Sequence, residues 1–163
     1  MPAETLDVSA MIPAKFEPKR KNRWILMIEG VDAYIVKTAA RPTVTTDEVE
    51  IKFINSRRYL SGITKFETMT VTLHDPIAPS GAQQVIEWIR THYESVSGRA
   101  GYADFYKRDI QLKLLDPVGT VIELWDIKGA FITQANFGDL TYEGAEAQDI
   151  SLTLRYDNCV LQY

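Results

Sequence analysis

The last strand-like segment of this chain alternates without a fault. Ile150, Leu152, Leu154 and Tyr156 fall on one side, and Asp149, Ser151, Thr153 and Arg155 on the other. Successive side chains of an extended strand point to opposite faces, so this segment fits only a sheet with one buried and one wetted face. Phe66 to His74 obeys the same rule, with Met69, Val71 and Leu73 inward and Thr68, Thr70 and Thr72 outward. Before the closing strand, Val121 to Ile127 reads as a strand that reaches a glycine kink at Gly129. The apolar run Ala130-Phe131-Ile132, a polar turn, an alternating Leu140 and Tyr142, and an acidic turn from Glu143 to Glu146 follow. The pattern is architectural.

The rest of the chain adds strands and one helix. Trp24 to Glu29 and Val31 to Lys37 are β-branched and aromatic and meet across Gly30, which predicts a hairpin. Trp24 to Ile28 leaves almost no polar face, so both its sides are expected to be covered. Val49 to Ile54 predicts a strand with Val49, Ile51 and Phe53 on one face, and Asn55 to Gly62 a polar connection. Ser80 with Gln83 three residues on fits a capping box. Ala82, Val85, Ile86, Ile89, Tyr93 and Val96 then recur at helical spacing, with Trp88 at the stripe's edge, predicting a helix over about 80–96. Asp116-Pro117-Val118-Gly119 joins two further strands as a turn. The expected fold is mostly β (α+β): an antiparallel sandwich or barrel of about eight strands with one flanking helix.

Three segments divide the chain: an arm (1–21), a β domain (22–157) and a C-terminal tail (158–163). The arm holds Pro2, Pro13 and Pro18 and ends in the basic cluster Lys15, Lys19, Arg20 and Lys21. Leu6, Val8, Met11, Ile12 and Phe16 make it more apolar than a solvated tail needs, which points to ordering on a neighbouring subunit. At 163 residues the chain has the size of one domain with a real core. No apolar run approaches a membrane span, no leader is read at the N-terminus, and the single Cys159 allows no internal disulfide. The net charge of −4 gives no whole-molecule pull toward nucleic acid.

Catalytic chemistry is nearly absent from the pattern. His74 and His92 are the only histidines, on different elements and without partners at metal-ligand spacing. No Walker loop, dinucleotide fingerprint or nucleophile elbow occurs. Neither an enzyme nor a bound cofactor or metal is expected. The outward threonines and serines are unusual, because exposed edge strands normally carry lysine or proline. A closed sheet built jointly by several subunits removes edges instead.

The order of several segments resembles the tail tube proteins of contractile-tailed bacteriophages and contractile injection systems. They are Asn22 to Gly30, Lys37 to Thr43, Phe66 to Asp75, the helix with Trp88, the Ile127 to Phe131 kink, and Ile150 to Asp157. The resemblance implies hexameric rings whose subunits share a continuous β-barrel, stacked into a rigid hollow inner tube inside a sheath. It implies DNA and a tape-measure protein in the lumen without specific binding, and sheath, baseplate initiator and tail terminator proteins as partners. It implies a virion component assembled in the host cytoplasm, with no membrane anchor. The lumen is expected at Thr68, Thr70, Thr72, Ser151 and Thr153 with Glu48 and Glu50, since neutral or acidic walls do not retain phosphates. A lumen lined by Lys52, Lys113 and Arg155 would contradict this. Subunit contacts are expected from Ile51, Phe53, Arg57, Arg58 and Tyr59, with Phe16, Val160 and Tyr163 reaching the next ring. The wet side of the helix, Gln84, Glu87, Thr91 and Glu94, is the expected sheath contact. The alternatives are the tube of a headless injection particle and a soluble β-barrel that binds a small ligand.

Overall fold

The structure, a computed structural model, describes residues 11–163. Its elements are β1 (Trp24–Ile28), a 3-10 turn (Ala33–Ile35), β2 (Val36–Ala39), β3 (Val44–Phe53), β4 (Ser56–Phe66) and β5 (Met69–His74). The helices α1 (Gly81–Arg90) and α2 (Ala103–Tyr106) follow, then β6 (Arg108–Leu115), β7 (Val121–Asn136), β8 (Asp149–Arg155) and β9 (Asn158–Leu161). The β7 strand serves two layers. Its first half pairs with β6 on one side and β9 on the other, with Ile127 opposite both Ile110 and Cys159. Its second half pairs with β8, Ile132 opposite Leu154. One layer is therefore β1-β6-β7-β9 and the other β7-β8-β5-β2, antiparallel throughout.

The corner is made at Gly129. Its φ of +67° lies where L side chains are strained, and a Cβ there would overlap the Asp157 carboxylate. The partner chain breaks at the same level, between β8 and β9, and the Asp157 N–H donates to the Lys128 carbonyl at 3.0 Å. Pairing thus continues round the bend. Leu26, Ile28, Ile110, Leu112 and Ile127 from one layer meet Met69, Val71, Leu73, Ile150, Leu152 and Leu154 from the other in one buried core.

The α1 helix adds a second source of burial. Ser80 Oγ accepts from Gln83 N–H at 3.4 Å, and Asp75 Oδ1 from Ala82 N–H at 3.1 Å, satisfying free helix-start donors. Trp88 is 1% exposed, donates its indole N–H to the Tyr106 carbonyl at 2.8 Å, and lies under the Arg108 guanidinium. It is the centre of the apolar stripe rather than its edge. The helix ends at Arg90 because the N–H groups of Thr91 and His92 turn back three residues, to Trp88 and Ile89. Tyr93 and Val96 consequently fall outside it, exposed.

Other expectations change for reasons of pairing. The β1 and β2 strands do not form a hairpin: β1 pairs with β6 and β2 with β5, and only a bridge joins Ile28 to Val31. Gly30, at φ +80°, and the 3-10 turn send the chain from one layer to the other. Ile25 and Met27 are exposed, so β1 is covered on one face. Residues 56–62 are strand, not connection, and form the return arm of a β3–β4 ribbon. Leu140 and Tyr142 lie in the β7–β8 loop instead of a strand. The segment 158–163 is not a free tail. Asn158–Leu161 is β9, and backbone bonds join Gln162 and Tyr163 to Leu124. Leu6 and Val8 lie outside the described residues.

Gly129→Ala forces an L residue into the left-handed region and is expected to cost about 1–2 kcal/mol, lowering Tm by roughly 2–4 °C per kcal/mol. Gly129→Asn, which tolerates that region better, is expected to recover part of the loss in the same thermal melt.

Candidate assembly surfaces

The outer face of the β7-β8-β5-β2 layer carries two polar rows. Thr38, Thr72, Ser151 and Asn136 align across four strands, and Thr70, Thr153 and Gln134 align beside them. Thr70, Thr72, Ser151 and Thr153 therefore share one surface, while Thr68 lies just before β5, outside the strand pairings. Thr38, Gln134 and Asn136 complete it, and sequence reasoning missed them because their places depend on which strands pair. Glu48 and Glu50 do not belong to it, since they sit on β3. Arg155 does, at the end where β8 finishes. At the other end Lys37 Nζ meets Asp149 Oδ2 at 2.6 Å, and His74 Nδ1 is 3.4 Å from Asp149 Oδ1. The hydrogen bond from Lys37 holds the Asp149 carboxyl below its ordinary range. Among the described residues, the outer edges of β2 and of residues 131–136 have no strand partner.

The β3–β4 ribbon stands clear of the sandwich. At its root Glu67 N–H donates to the Thr43 carbonyl at 2.9 Å, and the rings of Phe66 and Tyr156 lie 5.9 Å apart. Beyond that, both faces are largely exposed. One carries the cross-strand pairs Val49–Leu60, Ile51–Arg58 and Phe53–Ser56, and the other Glu50–Tyr59 and Lys52–Arg57. The structure thus unites Ile51, Phe53, Arg57, Arg58 and Tyr59 on one ribbon but divides them between its faces. Phe53 is 73% exposed and Ile54, at the tip, 85%. A two-stranded ribbon with an open apolar face is marginal alone, which makes this face a candidate contact surface. Phe16 lies exposed in the arm, Val160 exposed on β9, and Tyr163 just after it.

Where the arm meets the sandwich, Glu123 of β7 is buried, 3% exposed. Lys19 of the arm, Arg41 at the ribbon's root (3.1 Å) and the Trp125 indole N–H all converge on its carboxylate. Burial pushes this carboxyl up, but the donors from Lys19, Trp125 and Arg41 outweigh it and hold the pKa below the ordinary value. A cleft of about 460 Å³ opens beside it, floored by Trp24, Ala39, Leu112 and Leu114 and rimmed by Lys19, Arg20, Lys21, Lys37 and Arg41.

The helix does not present the four residues expected to face a sheath. The Gln84 amide is bound to Asp32 at 3.0 Å, the Thr91 hydroxyl donates to the Trp88 carbonyl, and Glu94 accepts from Ser97 and Arg99. Only Glu87 is exposed, and the open side of α1 is Gln83, Glu87 and Arg90. Gln84 lies half-buried because Asp32, just before the 3-10 turn, reaches it. Among the described residues no group of three or more His, Cys, Asp and Glu could hold a metal, and no helix is long and apolar enough to cross a membrane. Cys159 is buried, which pushes its thiol up to about 11.

The sequence model for T4-like virus tail tube protein gp19 matches residues 20–160. The chain belongs to this tail tube family. It is a structural tube protein of a contractile tail, a component of a virion or tail-like particle. No curated protein matches its sequence. Among solved structures, the anti-feeding prophage tube-terminating cap is similar, with TM-score 0.73 and 19% identity over 96% of this chain and 99% of that one. So is a chain of the PVC sheath-tube complex of an extracellular contractile injection system in its extended state, with TM-score 0.71 and 16% identity over 97% and 99%. The sheath/tube terminator of that system reaches TM-score 0.74 at 16% identity over 92% and 100%. At these identities the likeness is one of fold. The mostly-β fold and the tail tube resemblance read from the sequence both hold.

A depressed carboxyl pKa contributes stability above its unfolded value, about 4.3, and loses it as pH falls through the folded value. The tail tube subunit is therefore expected to lose the Glu123 contribution in acid, below about pH 4. Glu123→Gln is expected to be less stable at neutral pH and to show a flatter decline in acid, read by urea unfolding at a series of pH values.

Proposed function

We propose that six subunits close side by side into a ring in which the β7-β8-β5-β2 layers form one barrel. Its inner wall is the polar face of Thr38, Thr70, Thr72, Ser151, Thr153 and Gln134. The observation that carries this is the pair of free edges bounding that layer. Its strands alternate in direction, so β2 of one subunit and residues 131–136 of the next run antiparallel, and the alternation continues across the joint. Closing the ring pairs both edges. The number six rests on family resemblance.

Rings stack through a second, open-ended surface into a hollow tube, surrounded by a contractile sheath and ended by baseplate initiator and terminator rings. The tape-measure protein and then DNA occupy the lumen. Neutral hydroxyls over most of the wall suit passage of a polyanion, because each phosphate–cation pair adds affinity that would hold the strand back. Arg155 and the Lys37–Asp149 pair give the two ends of the wall some charge, so it is polar rather than uncharged throughout. The β3–β4 ribbon supplies contacts between subunits through Val49, Ile51, Phe53 and Leu60, with Arg57, Arg58 and Tyr59 around them. Phe16, Val160 and Tyr163 add contacts outside the ribbon, and the exposed side of α1 around Glu87 faces the sheath.

Electron microscopy of concentrated protein is expected to show six-fold rings and hollow tubes; a protein that stays monomeric even on a baseplate seed refutes the reading. A cysteine at Ser151 is expected to react with a bulky polymer-linked maleimide in the free subunit and to be shielded in tubes. A cysteine at Gln83, on the outer side of α1, is expected to react in both. Ile51→Asp with Phe53→Asp removes exposed apolar surface only. That variant is expected to keep the wild-type melting curve and fail to assemble, seen as loss of pelletable tubes.

A further inference from the structure

Two exposed features of this chain match each other in shape and charge. The first is the cationic cleft. Its floor is apolar, and Lys19 and Arg41 on its rim are neutralised by Glu123 while Lys37 is held by Asp149. Arg20 reaches only Glu17, at 3.9 Å, and Lys21 has no carboxylate within 4.0 Å among the described residues. The cleft is thus left with uncompensated positive charge over apolar surface. The second is the β7–β8 loop, residues 137–148. It contains Asp139, Glu143 and Glu146 and no cation, and none of the three forms an ion pair among the described residues. Between them Leu140 is 91% exposed and Tyr142 fully so. One surface is concave, apolar and basic, the other convex, apolar and acidic.

Their placement makes the match directional. The cleft runs along β2 from Lys37, which bonds Asp149, to Arg41. Its free cations follow Lys19 at the Arg41 end, where Lys19 and Arg41 meet at Glu123 and Ala40 N–H bonds to Thr70 near the start of β5. The loop leaves β7 at Asn136 and enters β8 at Asp149, which pairs with His74 at the opposite end of β5. A contact between patches at opposite ends of a subunit is head-to-tail, and repeats along an axis without closing. We propose that the loop 137–148 of one copy seats in the cleft of the copy stacked on it, Tyr142 over the Trp24 floor and the loop carboxylates against Arg20 and Lys21. Charge complementarity then sets the polarity of stacking, because turning one ring over places like charges together. This rests on the tube reading above and names the surface by which rings stack.

The test separates ring formation from stacking. The double variant R20E/K21E, like E143K/E146K, is expected to form rings yet to need about tenfold more protein, or more, to grow tubes. Joining all four substitutions in one chain is expected to restore growth. Tyr142→Ala, fully exposed in the free subunit, is expected to keep the melting curve and weaken stacking. In a Cys159→Ser background, cysteines at Lys21 and Glu143 are expected to form a disulfide between copies in tubes and not in isolated rings. Tubes formed equally well by every variant overturn the contact and leave the tube reading intact. A disulfide already complete in isolated rings also overturns it. Wild-type protein that makes neither rings nor tubes overturns both.

Discussion

The corner in β7 is the constraint on which the architecture depends. A strand that leaves one layer for another must keep its backbone donors and acceptors paired while it turns, since buried unpaired groups are costly. Here both partners turn together, β7 at Gly129 and its partner chain at Asp157, and the Asp157 N–H to Lys128 carbonyl bond spans the bend. Only glycine takes the required φ readily. Because the turn is shared, β8 and β9 flank β7 in different layers, and one hydrophobic core fills the angle between them.

What the subunit buries holds it together; what it leaves open gives it a role. The core is complete without a partner, with Trp88, Leu26 and the closing-strand residues Ile150, Leu152 and Leu154 all inaccessible. Yet two strand edges, an apolar ribbon, a cationic cleft and an acidic loop stay exposed. A protein made to remain alone blunts such features with charge and proline. In the ring proposed for this tail tube protein, backbone pairing and surface packing between copies cover them. The buried Glu123 ties the arm, the ribbon's root and β7 at one carboxylate, so these exposed segments share an anchor.

Much of the fold was legible residue by residue. The faces of β5 and β8, the cap at Ser80, the turn at Asp116 to Gly119 and the bend at Gly129 all lie where alternation and turn chemistry put them. The polar rows through Thr70, Thr72, Ser151 and Thr153 were legible for the same reason. The β1–β2 hairpin was misread because adjacent β-rich segments usually pair, and here a 3-10 turn carries the second into the other layer. Residues 56–62 were misread because a ribbon bathed in solvent on both faces has no inward side to impose a two-residue period. Gln84 looked solvent-facing because nothing local announces that Asp32, fifty-two residues away, would hold it.

The sequence by itself determined which side of each strand is apolar, where the helix starts, the absence of recognisable catalytic motifs and the family to which the chain belongs. Those properties are local, written in neighbours one to four positions apart, or in the order of segments along the chain. Only the tertiary structure decided that β7 serves both layers, that Glu48 and Glu50 leave the polar face while Thr38, Gln134 and Asn136 join it, and that Lys19 and Arg41 meet at Glu123 on the rim of a cationic cleft. Strand pairing joins residues far apart in the chain, and its choice depends on the whole core being filled at once. No single segment carries that information.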